Sequence, residues 1–133
     1  MAQDVEALAR LAYDALNRRD IEAFIELLDP EVEFQSLVAE AEGTVFRGAE
    51  GVRQWWNHVV ASLGGIRFEP VEIRTIGDDS GLTKVRASGE AGGVTVAQTM
   101  WQVAMIRDGR PIWWKVCRTE QEALDELERR RAG

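Results

Sequence analysis

Residues Thr99 to Leu124 read TMWQVAMIRDGRPIWWKVCRTEQEAL, and this stretch decides the fold. Two runs rich in Val, Ile, Met and Trp flank Arg107-Asp108-Gly109-Arg110, and Asp-Gly tolerates the positive φ angles that a tight primed turn demands. The stretch is therefore expected to be a β-hairpin. Thr119, followed by Glu120, Gln121 and Glu122, has the form of an N-cap and first helical turn, with Glu122 at the capping-box position. The second strand thus runs into a short closing helix. Strand alternation then sorts the side chains. If Gln102 turns inward, Gln98, Met100, Ala104 and Ile106 share its face, joined across the turn by Trp114, Val116 and Arg118. Thr99, Trp101, Val103, Met105, Trp113, Lys115 and Cys117 fall on the opposite face.

Upstream, Val5, Leu8, Ala9, Leu11, Ala12, Ala15 and Leu16 recur at helical spacing, which predicts a first helix ending near Asn17. Asn17-Arg18-Arg19-Asp20 supplies a turn and an N-cap, and Ile21, Phe24, Ile25 and Leu28 then make the stripe of a second helix that stops at Asp29-Pro30. From Glu31 the period changes to two. Val32 and Phe34 lie on one face of a first strand, with Glu33 and Gln35 on the other. Between Ser36 and Gly51 the glycines Gly43, Gly48 and Gly51 suggest a loop that closes over something, or a short strand at Thr44-Val45-Phe46. In a third helix, a turn of about 100° per residue puts Trp55, Trp56, Val59 and Leu63 on the face of Val52. Gly64-Gly65 ends it. Three further strands follow, roughly Arg67 to Ile76, Leu82 to Glu90 and Val94 to Ile106, the last opening the hairpin.

At 133 residues and 45% hydrophobic content, the chain suits one domain, residues 1–133, with a real core. The net charge of −7, with acids and bases interspersed, argues against a nucleic-acid or anionic-membrane surface. Arg129-Arg130-Arg131 reads as a solvated tail. A single cysteine, Cys117, excludes an intrachain disulfide, and no apolar leader opens the chain, so a cytoplasmic protein is expected. No apolar run reaches transmembrane length and no repeat of fixed period is visible.

Helix, helix, strand, helix, four antiparallel strands and a closing helix predict an α+β domain in which a curved sheet wraps around helices and encloses an apolar cleft. On particular residues the chain resembles the SnoaL-like branch of the nuclear transport factor 2-like superfamily. These are Asn17-x-x-Asp20 between two short helices, Asp29-Pro30 with Val32 and Phe34, and Phe46-Arg47-Gly48 with Gly51-Val52-Arg53 opening a helix. Asp108-Gly109 and the terminal Glu122-Ala123-Leu124 complete the set. The resemblance implies a cone-shaped, curved antiparallel sheet packed on N-terminal helices, a cystatin-like roll with a cavity in the cone. It does not imply one activity, because the superfamily holds isomerases, cyclases, epoxide hydrolases, dehydratases and proteins that only bind.

The family's catalytic positions can be tried one at a time. The ketosteroid isomerases use a tyrosine on the first helix, an aspartate on the first strand and a second acid on a later strand. The resemblance puts Ala12, Phe34 and Gln102 there, with Tyr13 about 100° around the helix from the cavity-facing place. Proton transfer needs a carboxylate and an oxyanion needs donors, so that chemistry lacks its base here. In the limonene-type epoxide hydrolases an Asp stands where this chain has Val116, and Arg86 and Ser88 occupy the Arg-x-Asp pair. A cyclase of the SnoaL kind needs one acid near an apolar pocket. Glu33 is the nearest candidate, but the parity that turns Phe34 inward turns Glu33 out. His58 lies about 240° around its helix from Val52, away from the tryptophan face. One histidine and one cysteine among scattered carboxylates make no metal site. Gly89, Gly92 and Gly93 form no phosphate-binding fingerprint, and no cofactor is expected.

The expected ligand pocket is Phe34, Trp56, Gln98, Met100, Gln102, Trp114, Val116 and Arg118, and no catalytic residue is assigned. A buried Arg118 would need an acceptor, supplied by an anionic or carbonyl-bearing ligand, or else it sits at the sheet edge against Glu120 or Glu122. The leading function is a SnoaL-like small-molecule-binding protein with an apolar pocket for a hydrophobic metabolite. The alternative is an enzyme of the polyketide cyclase, isomerase or epoxide hydrolase type using acid–base chemistry. The outward set, with Trp101, Val103, Met105 and Trp113, is too apolar to leave wet. It is expected to close a homodimer, unless the C-terminal helix folds back over it.

Overall fold

The computed structural model describes residues 4–35, 45–57, 64–91 and 93–132. Four helices, α1 (Val5–Asn17), α2 (Ile21–Glu26), α3 (Gly48–Trp55) and α4 (Glu120–Ala132), accompany six strands. The strands are β1 (Glu33–Gln35), β2 (Val45–Arg47), β3 (Gly64–Ile76), β4 (Ser80–Ala91), β5 (Val94–Arg107) and β6 (Arg110–Cys117). They form one sheet in the order β2-β1-β6-β5-β4-β3. The expected strand at Thr44-Val45-Phe46 is β2, one residue later; residues 36–44 of the expected loop, and His58, Val59 and Leu63, lie outside the described residues.

The β5–β6 turn has Asp108 at φ 54° and Gly109 at φ 78°, so both central residues take the left-handed conformation of a type I′ turn. Its register sets Ala104 opposite Trp114 and Gln102 opposite Val116. One pair departs from the antiparallel expectation. β1 runs parallel to β6, with Phe34 opposite Trp114, which makes the sheet mixed.

Side chains that compete with backbone groups set the helix ends. Asp4 accepts a hydrogen bond from the Ala7 N–H and Asp20 from the Ala23 N–H, each at 3.1 Å, as N-caps do. Arg19, at φ 63°, reverses the chain between α1 and α2. The Asn17 amide donates to the Phe68 carbonyl and accepts from the Phe68 N–H, both at 2.8 Å. It satisfies both backbone groups of one β3 residue, as a neighbouring strand would, and ties the end of α1 to the sheet.

Each face of the sheet carries a buried cluster, covered in a different way. The concave face packs against α1, α2 and α3 through a cluster that includes Leu16, Phe24, Phe34, Val52, Trp55, Val85 and Trp114. On the convex face Leu82, Val103, Trp113 and Cys117 pack with Ala123 and Leu127 of α4. The residues expected to close a dimer do point outward, but α4 covers the central ones within the chain: Trp113 is 2% exposed and Val103 and Cys117 are 0% exposed, while Trp101 and Met105 are half-buried and Thr99 is exposed. The C-terminal arginines are not a free tail either. Arg130 bonds Glu33, and Arg131 bonds Asp79, Ser80 and the Ile76 carbonyl.

Candidate functional site

Between α1 and strands β4 to β6 lies a cavity of about 70 Å³. An apolar cavity of about 150 Å³ takes up one benzene, so this one suits a ligand no larger than a small ring. α1 supplies Val5, Leu8, Ala9, Ala12 and Tyr13, and Phe24 and Leu28 close the α2 side. The sheet supplies Gly81, Thr83, Gln102, Ala104, Ile106, Pro111 and Trp114. None of these lining residues carries a charge. Gly81 allows helix and sheet to meet, because a Cβ at that position would lie 2.5 Å from Val5 Cγ1.

The polar atoms gather at one place. The Tyr13 hydroxyl donates to Gln102 Oε1 at 2.5 Å, and the Trp114 indole N–H donates to the same oxygen at 2.9 Å. Burial pushes the Tyr13 phenol well above its usual range, with a hydrogen bond from Thr83 a smaller opposing effect. Tyr13 is therefore a neutral hydrogen-bond donor at ordinary pH and not a base. Trp114 is fixed from behind by aromatic neighbours. Phe34 stacks on it at 4.1 Å between centroids, and Phe24 and Trp55 meet it edge-on at 5.3 and 5.7 Å.

Of the residues expected to form the pocket, Gln102 and Trp114 lie in the cavity wall. Phe34 and Val116 are buried in the core behind it, with Trp56 and Met100 packed against that core. Arg19 sits over the Trp56 ring at 6.0 Å. Gln98 and Arg118 are exposed: Gln98 lies in the half of β5 away from the turn, and Arg118 follows the last residue of β6. Tyr13 corrects the helical reading. Ala12 and Tyr13 both reach the cavity, because α1 lies over it broadly and a phenol is long enough to swing in from about 100° away.

The remaining catalytic candidates fall elsewhere. Arg86 is exposed, and Glu33 pairs with Arg47 at 2.9 Å and Arg130 at 3.1 Å, away from the cavity. Among the described residues no group of three or more His, Cys, Asp or Glu could hold a metal ion. Cys117 is a buried thiol, pushed up to about 12 chiefly by burial and then by the charge of Glu122. No described helix is long and apolar enough to cross a membrane.

Several solved structures share this fold. TerC, crystallised with polyporic acid, is 22% identical, with a TM-score of 0.75 over 91% of this chain and 95% of that one. The protein RV0760c from Mycobacterium tuberculosis, in complex with estradiol-17beta-hemisuccinate, is 13% identical, with a TM-score of 0.73 over 88% and 95%. A protein from Sinorhizobium meliloti named as a polyketide cyclase is 24% identical, with a TM-score of 0.68 over 83% and 93%. No curated protein matches the chain in sequence. The SnoaL-like domain model matches residues 9–114, and the chain belongs to that family.

Proposed function

We propose that this protein binds a hydrophobic small molecule in the cavity between α1 and the sheet. The observation that carries the reading is an uncharged, largely apolar wall interrupted by one polar cluster, Tyr13, Gln102 and Trp114. Apolar walls favour apolar ligands by about 25 cal/mol per Å² removed from water, and they penalise an unpaired charge. The bound polyporic acid and steroid ester of the structural neighbours support a ligand of this class here. Gln102 and Trp114 are the proposed direct contacts. Phe34, Trp56, Met100 and Val116 form the wall behind them. No carboxylate or histidine lines the cavity among the described residues, which favours binding over the acid–base alternative.

For assembly we propose a homodimer on the part of the convex face that α4 leaves open, where Arg67, Glu69, Arg86 and Thr99 are exposed with both charge signs present. The buried free thiol of Cys117 supports a reducing, cytoplasmic compartment. The test of the binding reading is a titration with neutral one-ring aromatic compounds, followed by tryptophan emission, on the native protein and on Ala12→Phe. A ring added at Ala12 fills the cavity, so affinity should fall at least about tenfold while the far-ultraviolet spectrum holds. If no compound changes the emission, or the filled variant binds as well, the reading is wrong.

A further inference from the structure

The aromatic residues of the concave side are joined ring to ring. Trp114 stacks on Phe34 at 4.1 Å, and Trp55 stands edge-on to the two of them at 5.7 and 4.7 Å. Phe24 meets Trp114 edge-on at 5.3 Å and Trp55 at 6.5 Å, within the range over which rings attract. Phe24 and Trp114 also line the cavity, whereas Phe34 and Trp55 lie behind them in the core. The cavity stops on its α2 side where this ring pack begins.

The two rings at that boundary are not equivalent. Trp114 gives its indole N–H to Gln102, so trimming it breaks a buried hydrogen bond as well as emptying space. Phe24 has no polar side-chain atom and is 2% exposed. Its ring only fills volume between the cavity and the two tryptophans. The helix that carries it is braced by two arginines. Arg53 of α3 grips both carboxylate oxygens of Glu22 at 2.7 and 2.8 Å, a bidentate contact that fixes geometry as well as charge. Arg110 gives Nη1 to the Glu26 and Leu28 carbonyls at 3.1 and 3.3 Å. A ligand pressing on Phe24 therefore meets a close-packed ring on a braced backbone, which does not yield one ring's volume without strain.

We propose that Phe24 is the specificity-determining residue of the cavity: its ring admits a neutral monocyclic ligand and excludes a fused bicyclic one, whose second ring would need the space that Phe24 fills beside Trp55 and Trp114. This rests on the binding function proposed above. Removing the ring leaves a void next to two tryptophan rings and continuous with the cavity. An aromatic second ring suits such a void, because it regains the edge and face contacts that Phe24 made.

Benzyl alcohol and naphthylmethanol test this, since they share a neutral arm and differ by one fused ring. In calorimetric titration the native protein should bind naphthylmethanol at least about tenfold more weakly than benzyl alcohol. In Phe24→Ala that ratio should fall by at least about tenfold, and NMR should show contacts between naphthyl protons and the Trp55 ring. Phe24→Leu keeps the site apolar and should shift the ratio the same way by about threefold, which preserves the test if Phe24→Ala does not fold. Phe46→Leu is the control. Phe46 stacks on Phe34 at 6.1 Å but does not line the cavity, so the ratio should stay within about twofold. Equal affinity of the native protein for both alcohols sinks the size rule and leaves binding standing. A ratio that Phe24→Ala does not change, or that Phe46→Leu relaxes as far as Phe24→Leu, also overturns it. If neither alcohol binds the native protein, the binding function itself fails, and the size rule with it.

Discussion

The concave and convex faces of the sheet bury side chains of similar character and reach opposite ends. On the convex side α4 lies flush: Trp113, Val103 and Cys117 meet Ala123 and Leu127, and Arg130 closes over the Trp113 ring at 5.3 Å. On the concave side the helices leave a cavity, and Thr83 and Gln102 are buried polar residues. Burying polar groups costs free energy unless they are hydrogen-bonded, and empty volume forfeits packing contacts. The convex face buries polar groups too, Ser80 against Arg131 of α4 and Arg74 Nε without a hydrogen bond among the described residues. What sets the concave face apart is the cavity, and that is the half that we propose binds.

The largest expected effects break that separation or confirm it. Trp113→Ala and Phe34→Ala each empty a site buried to 2% or less, and each should cost about 3–5 kcal/mol in urea denaturation. They should part company on ligand. Folded Trp113→Ala should bind as the native protein does, whereas Phe34→Ala removes the ring stacked on Trp114 and should weaken binding. If Trp113→Ala loses binding as well, the faces are coupled.

A smaller effect sharpens the concave side alone. Gly81→Ala drives a methyl into Val5 and should cost about 1–3 kcal/mol by overpacking. Because Val5 and Gly81 both line the cavity, the helix must shift at the site itself. Adding Val5→Ala should recover part of the loss, with a coupling of about 0.5–3 kcal/mol in a double-mutant cycle. Strict additivity would show that α1 does not rest on β4 there.

What was legible in the sequence was local or periodic. Asp108-Gly109 specifies its turn through backbone conformation, and the turn fixes the register that sends Gln102 and Trp114 to one side. Asp20 caps α2 as expected. Parity assigns a face but no depth, so Gln98 and Arg118 share the alternation of Gln102 and yet lie exposed. The parallel β1–β6 pair joins strands far apart in sequence, and nothing local announces it. Tyr13 was obscured because a helical wheel treats a side chain as a direction, whereas a phenol has length. The docking of α4 had only a sparse apolar stripe, Ala123 and Leu127 among its buried residues, to declare it.

That sparse stripe sets up the smallest prediction, at the start of α4. Thr119 Oγ1 accepts from the Glu122 N–H at 3.1 Å, one of the donors a helix start leaves unpaired. Thr119→Ala should cost about 1 kcal/mol. The cost should be local. With few buried apolar residues to hold it, the first turn of α4 is among the parts least tied to global unfolding, and hydrogen exchange at Glu122 and Ala123 should quicken before any change in β5 or β6. The concave face should not respond, because no atom of α4 lines the cavity. Affinity for a neutral one-ring aromatic compound should match the native protein. If removing this one hydroxyl weakens that binding, the convex covering transmits to the cavity and the division between a covered face and a binding face does not hold.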